Sequence, residues 1–139
     1  MGVVTRQLEI RTRAENDVVD ITKDVQNAIE ESGFRNGVVV VFIPSSTAAV
    51  TTMEYEPGLI HDFPNMLERV SPRDIPYEHQ KTWQDDNGRS HVKASLVRPS
   101  LSVPFVDGFL ILGTWQQVVL VELDIRPRTR KIVVQMVGE

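Results

Sequence analysis

Two histidines, His79 and His91, stand twelve residues apart with the paired carboxylates Asp85-Asp86 between them. A neutral imidazole is the commonest zinc ligand and also a base whose proton affinity lies near neutral pH. The pair is therefore a candidate for proton transfer or for metal ligation, and the aspartates can add oxygen ligands for a hard cation such as Mg²⁺ that bridges phosphate. Their spacing fits no standard metal motif. Against the chemical reading stand hydrogen-bonded or surface histidines, and aspartates that belong to a solvated turn or cap a helix. His61 has no comparable neighbours and is read as exposed.

Other groups offer binding chemistry. The run Pro44-Ser45-Ser46-Thr47 follows an apolar stretch and presents hydroxyls suited to phosphate, although it lacks the glycines and lysine of a P-loop. No base is placed to activate a serine, so Ser45, Ser46 and Thr47 read as a binding loop. Arg128 and Arg130 are two apart; on a strand they share a face and can fork onto one phosphate or carboxylate. The rival reading is an exposed strand end paired with Glu122 or Asp124. Glu54, at a strand end, can orient a histidine or move a proton. Gln116 needs partners if buried, and a ligand is one; its neighbour Trp115 reads as core. Asn87 is either a ligand-binding amide or the cap of the helix after it. Glu56, just ahead of Pro57-Gly58, reads as a turn residue.

These groups need a scaffold, and 139 residues suffice for one core and not for two, so residues 1–139 are expected to form a single domain. The net charge of −4 argues against a nucleic-acid binder, yet residues 126–131 concentrate four basic side chains, as a local anion site requires. No apolar run approaches the roughly 20 residues of a membrane span, and the first residues lack signal-peptide features. With no cysteine there is no disulfide framework or thiolate site, and a cytoplasmic location is the default.

Apolar periodicity supplies the elements. Residues 5–12 alternate as a half-buried strand. From Asp17 onward Val18, Ile21, Val25, Ala28 and Ile29 recur at helical spacing, with Asn16 or Asp17 to cap the start and Gly33 to end it. Residues 38–43 form a β-branched run expected to be covered on both faces, stopped by Pro44. A strand over 50–53 and a second helix over 59–70 follow; Pro64 places the start of regular helix near Asp62. Residues 71–90 show no periodicity, which in a compact domain points to function. A short helix is predicted over 91–97, then strands over 101–106, 109–115, 118–124 and 131–137, with Asp107-Gly108 as a hairpin turn. About seven strands, mostly antiparallel, with two or three helices make an α+β class.

In this order and spacing, several elements resemble the YjbQ family of small proteins (UPF0047). They are Ser46-Thr47-Ala48 followed by Glu54, Asp62, Tyr77-Glu78-His79, Asp86 with Ser90-His91-Val92-Lys93-Ala94-Ser95, Ser100 with Val103-Pro104, Gly108, Leu112-Gly113-Thr114-Trp115-Gln116, and Glu122 with Arg128 and Arg130. The resemblance implies an α+β domain with a largely antiparallel sheet, a homotrimer, and a site near the subunit boundary. It favours Asp86 over Asp85, so that His79, His91 and Asp86 become the set for a divalent metal, Zn or Mg. It also implies thiamine-phosphate synthase activity: a pyrimidine diphosphate joined to a thiazole phosphate with loss of pyrophosphate. His79, His91 and Glu54 would then move protons, and Asp86, Arg128 and Arg130 would manage charge. Two departures stand out: Ser45 where many members have histidine, and Arg98 where a glycine is usual. The expected partner is a small anionic, phosphorylated ligand. The alternatives are a trimeric metabolite- or metal-binding protein without turnover, and a metal-dependent hydrolase using zinc-bound water.

Overall fold

The computed structural model describes residues 1–139. The strands are β1 (Gly2–Arg11), β2 (Val18–Asp20), β3 (Gly37–Phe42), β4 (Ala48–Met53), β5 (Ser100–Val106), β6 (Phe109–Leu110), β7 (Gln117–Glu122) and β8 (Thr129–Gly138). The helices are α1 (Thr22–Ser32), α2 (Pro57–Val70), α3 (His79–Trp83) and α4 (Gly88–Val97). The α+β class holds, with eight strands and four helices where about seven and two or three were expected. Every strand pairing is antiparallel. A five-stranded sheet runs β1-β8-β3-β5-β6 and a three-stranded sheet β2-β7-β4.

Two buried clusters explain the layering. The larger joins Val39 and Val41 of β3, Phe105 of β5, Ile132, Val134 and Met136 of β8, Val118 and Leu120 of β7, and Val25 and Ile29 of α1. It fills the space between the two sheets, and α1 belongs to it. Alternate residues of β7, Val119 and Val121, turn to the other face and meet Leu67 of α2 and Ala94 of α4 in the second cluster. Period-two alternation thus makes β7 buried on both faces, and each fully buried aliphatic side chain contributes about 1.5–3 kcal/mol. On β8 the residues facing the core are even-numbered, from Arg130 to Met136. Arg130 is consequently carried inside at the strand's end.

Several local expectations change. The helical spacing from Asp17 hides the short strand β2, and α1 begins only at Thr22, where Asp20 Oδ1 accepts the Thr22 N–H at 3.0 Å. Gly33 ends it in the left-handed region at φ 74°, as its lack of Cβ allows. On β3 only Val39 and Val41 are buried, while Val38 and Phe42 are exposed, so the strand is covered on one face. Helix α2 starts at Pro57 and not near Asp62, because the Glu56 carboxylate accepts from the Gly58 and Leu59 N–H groups and Pro57 suits the first helical position. Residues 71–90 are less irregular than their sequence: they carry α3 and the start of α4. Asp107 and Gly108, at φ 54° and 85°, make a hairpin turn with both central residues left-handed. The strand expected over 109–115 ends at Leu110, and Trp115 sits in a turn, 72% exposed, outside the core.

Candidate functional site

Helix α3 presents His79 at its first position and α4 presents His91 in its first turn. Their rings meet with centroids 4.3 Å apart at an interplanar angle of 43°. Burial lowers the proton affinity of His91, the neighbouring His79 lowers it further, and Asp85 and Asp124 offset only part of this. The His91 ring is therefore held below its ordinary value of 6.5 and is the free base at neutral pH.

The carboxylate beside this pair belongs to Asp85, whose Oδ1 is 3.3 Å from His79 Nε2. Asp86, favoured by the resemblance, is exposed; it takes a left-handed φ of 58°, and its backbone N–H donates to Gln80 Oε1 at 2.8 Å. Of the two aspartates, it is Asp85 whose carboxylate makes the contact with His79. Buried Asn87 lies between two acceptors. Turned one way its amide nitrogen donates to Asp85 Oδ1 at 2.8 Å and His79 Nε2 at 3.2 Å; turned the other way it reaches Asp124 Oδ1 at 3.4 Å. The shorter contacts favour the first orientation. As the residue ahead of α4, Asn87 makes no side-chain cap bond.

From Asp124 a polar network runs inward. Arg128 donates through Nε to Asp124 Oδ2 at 2.8 Å and pairs with it through Nη2. Burial by itself would raise the Asp124 carboxyl, but Arg128 and the Ile125 N–H outweigh it and hold it below its ordinary value. Arg130 donates to Glu122 through Nε at 2.8 Å, to Ser45 Oγ at 2.8 Å and to Thr47 Oγ1 at 3.0 Å. Thr12 Oγ1 donates to Glu122 Oε2 at 2.9 Å, which ties in the end of β1. Ser45 and Thr47 are thus anchored to Arg130, and of the hydroxyl run only Ser46 is exposed.

The arginines do converge, though not as an empty fork. Arg130 is buried on Glu122, so it is no exposed strand end, and Arg128 is bound to Asp124 with about a third of its side chain open. The pairing with Glu122 and Asp124, the rival reading of the sequence, is the one formed. Glu54 is exposed after β4 and contacts neither histidine through its side chain. Gln116, also exposed, donates to Thr52 Oγ1 at 3.2 Å. Both lie outside the histidine cluster. His61 is exposed on α2.

Sequence reasoning passed over the support beneath the histidines. Lys93 on α4 is buried with Nζ 3.0 Å from Glu68 Oε2 on α2, and Arg89 donates to Glu15 Oε1 at 2.8 Å. Lysine at a buried helix position gives no periodic signal. Ser90, beside His91, is fully buried with an unpartnered Oγ. Gly88 has Tyr77 against it: a Cβ there would lie 2.5 Å from Tyr77 Cβ. Only glycine lets the loop carrying His79 close on α4.

Fold and site together define a class: a small antiparallel α+β domain with two packed sheets and a pair of contacting imidazoles carried by two helices, backed by buried carboxylate–arginine pairs. The family model described as UPF0047 protein YjbQ-like matches residues 6–139, and the chain belongs to this family. A UPF0047 protein of Methanothermobacter thermautotrophicus is 40% identical over 139 residues, covering 100% of this chain and 95% of that protein. The UPF0047 protein YugU of Bacillus subtilis is 33% identical over 135 residues, covering 96% and 98%. A crystal structure of a YbjQ-like protein of unknown function from Sulfolobus solfataricus superposes with a TM-score of 0.93 at 32% identity, covering 99% of each chain. No helix is long and apolar enough to cross a membrane.

Proposed function

We propose that the chain is a small-molecule enzyme whose proton transfers are carried by His91 and His79, acting on a phosphorylated or similarly anionic metabolite. The observation that carries this is the ring contact at 4.3 Å, which together with burial leaves His91 unprotonated at neutral pH. His91 is then the general base, and His79, beside the Asp85 carboxylate, is the group that donates. The open third of Arg128 and the exposed Ser46 hydroxyl are the anion contacts left after the buried pairs are counted.

The finer reading is a thiamine-phosphate synthase reaction, in which a C–N bond forms as pyrophosphate leaves. The thiazole nitrogen attacks through its lone pair and becomes thiazolium with no proton to give up, so Arg128 would meet the charge of the departing pyrophosphate and a histidine would act only by passing a proton to that leaving group. Within one chain no three His, Asp or Glu side chains form a group that could hold a metal ion. A second reading, capture of an anionic metabolite without turnover in a homotrimer, draws on Ser45, a hydroxyl that serves as a hydrogen-bond anchor for Arg130 and offers no acid–base group.

The test is turnover of the pyrimidine diphosphate and thiazole phosphate pair, and of a panel of phosphorylated metabolites, by wild type, His91→Gln and His79→Gln. Acid–base catalysis predicts a loss of about 10²–10⁴-fold in kcat for His91→Gln with ligand affinity retained. Ligand bound tightly by all three proteins with no product from any would replace the enzyme with the binding protein.

A further inference from the structure

A cleft lies at the far end of α4 from the histidine pair. It opens between β4 and β5, has a volume of about 350 Å³, and is lined by Thr52, Arg98, Ser100, Ser102, Leu112 and Gln116 among others. His91 is seven residues before Arg98, so the two places are separated by about 10 Å along the helix axis.

The cleft exists because two strand edges face one another without pairing. On β5 the Pro99 carbonyl bonds the Ile43 N–H, so odd positions bond β3 and even positions turn their backbone groups outward, as Pro104 does in accepting from Ile111. On β4 the Val50 N–H leaves its sheet to bond the Arg98 carbonyl, so Thr52 also faces outward. The N–H groups of Thr52, Ser100 and Ser102 therefore border the cleft with no ladder partner. Leu112 and Val103 add an apolar wall.

Arg98 sits at the mouth with φ 91° and ψ 157°, a backbone region that is essentially reserved for glycine. It makes none of the chain's ion pairs. A strained, unpaired cation over free backbone donors is arranged for an anion. We propose that this cleft binds a small molecule carrying one oxyanion, a carboxylate or a phosphate monoester, on an apolar body. Arg98 supplies the charge, the edges of β4 and β5 supply the N–H donors, and Leu112 receives the body.

The full-length protein is titrated with benzoate, phenyl phosphate and inorganic phosphate while backbone amide shifts are followed by NMR, in wild type, Arg98→Gly and Arg98→Lys. Benzoate or phenyl phosphate should move the Thr52, Ser100 and Ser102 amides, and the tighter of the two names the headgroup. Arg98→Gly relieves the backbone, so its melting temperature should not fall, while affinity drops about tenfold or more for loss of a charge-assisted contact. Arg98→Lys should keep most of it. Failure of both aromatic anions to move these amides, or equal affinity in Arg98→Gly, overturns the proposal. Because His91→Gln leaves this cleft intact, binding there does not depend on the catalytic reading.

Discussion

Arg130 and Glu122 form an ion pair in which the carboxylate side chain is fully buried and the guanidinium side chain is 10% exposed. The pair stands where β7 ends and β8 begins, and it draws Ser45, Thr47 and Thr12 onto the same charges. Desolvating both ions offsets much of their attraction, so the pair adds little net stability; leaving one alone is what costs. Arg130→Met should lower stability by about 3–5 kcal/mol, because Glu122 is left buried without its partner. The double variant Glu122→Gln with Arg130→Met should recover most of that loss. Urea denaturation of the four proteins of the cycle checks this; equal losses in the single and double variants would mean that packing, not charge, sets the cost.

The acid limb of stability should show two steps. His91 binds its proton less tightly in the native state than in the unfolded chain, so its contribution is complete above its unfolded value of about 6.5 and is lost as pH falls toward the native value. Asp124, Glu68 and Asp17 are likewise held below their ordinary values: in each, burial alone would raise the carboxyl, and hydrogen bonds and cations outweigh it. Their contribution is complete above the unfolded carboxylate range near pH 4 and is lost as pH falls through the native values. Thermal midpoints measured from pH 8 to pH 3 should therefore fall first below about 6.5 and again below about 4. His91→Gln should remove the upper step alone. In the wild type, NMR titration should put His91 below the ordinary histidine value of about 6.5.

The sheet order and the histidine pair illustrate what a sequence can show. The continuous apolar run 118–121 and the apolar-rich stretch 131–137 made β7 and β8 visible, because a β-branched run of that length is a local signal. β2 was not visible: Val18 and Ile21 are both buried, but one faces α2 and the other α1, and on paper that reads as a single helical stripe. The joint placement of His79 and His91 was legible through their order relative to other motifs. The choice of Asp85 over Asp86 was not, since two adjacent aspartates look alike in a sequence. The arginines were legible as a cluster, whereas their neutralisation depends on Glu122 and Asp124 being carried into the interior at the end of β7.

Gly88 tests whether the histidine pair depends on close packing of the loop onto α4. Gly88→Ala places a methyl 2.5 Å from Tyr77 Cβ, and Tyr77 is itself fixed by its hydroxyl, which donates to the Pro72 carbonyl at 2.6 Å and lies 2.9 Å from Ser71 Oγ. Displacing Tyr77 moves the chain that leads directly into His79. Stability should fall by about 1–3 kcal/mol, the cost of overpacking, and the His91 proton affinity should rise as His79 moves away and water enters. A chemical-shift titration of His91 in this variant reads the second effect; an unchanged titration with lowered stability would show that the ring pair does not rely on Tyr77.

The buried Lys93 offers a sharper test of what holds α4 against α2. Its ammonium meets Glu68, which also accepts from the Arg73 backbone and guanidinium at 2.8 and 3.4 Å. The two partners are not equivalent. Glu68 is partly exposed and keeps Arg73 when Lys93 is removed, whereas Lys93 is 1% exposed and has no second carboxylate within bonding distance. Lys93→Met preserves the buried stem and leaves no orphan charge, so stability should change by less than about 1 kcal/mol or rise. Glu68→Ala strands a buried ammonium and should cost about 3–5 kcal/mol. Combining the two should return stability close to that of Lys93→Met alone. If Lys93→Met were instead the more damaging change, the lysine would be acting through its charge on the neighbouring histidine turn and not merely as the counter-ion of α2.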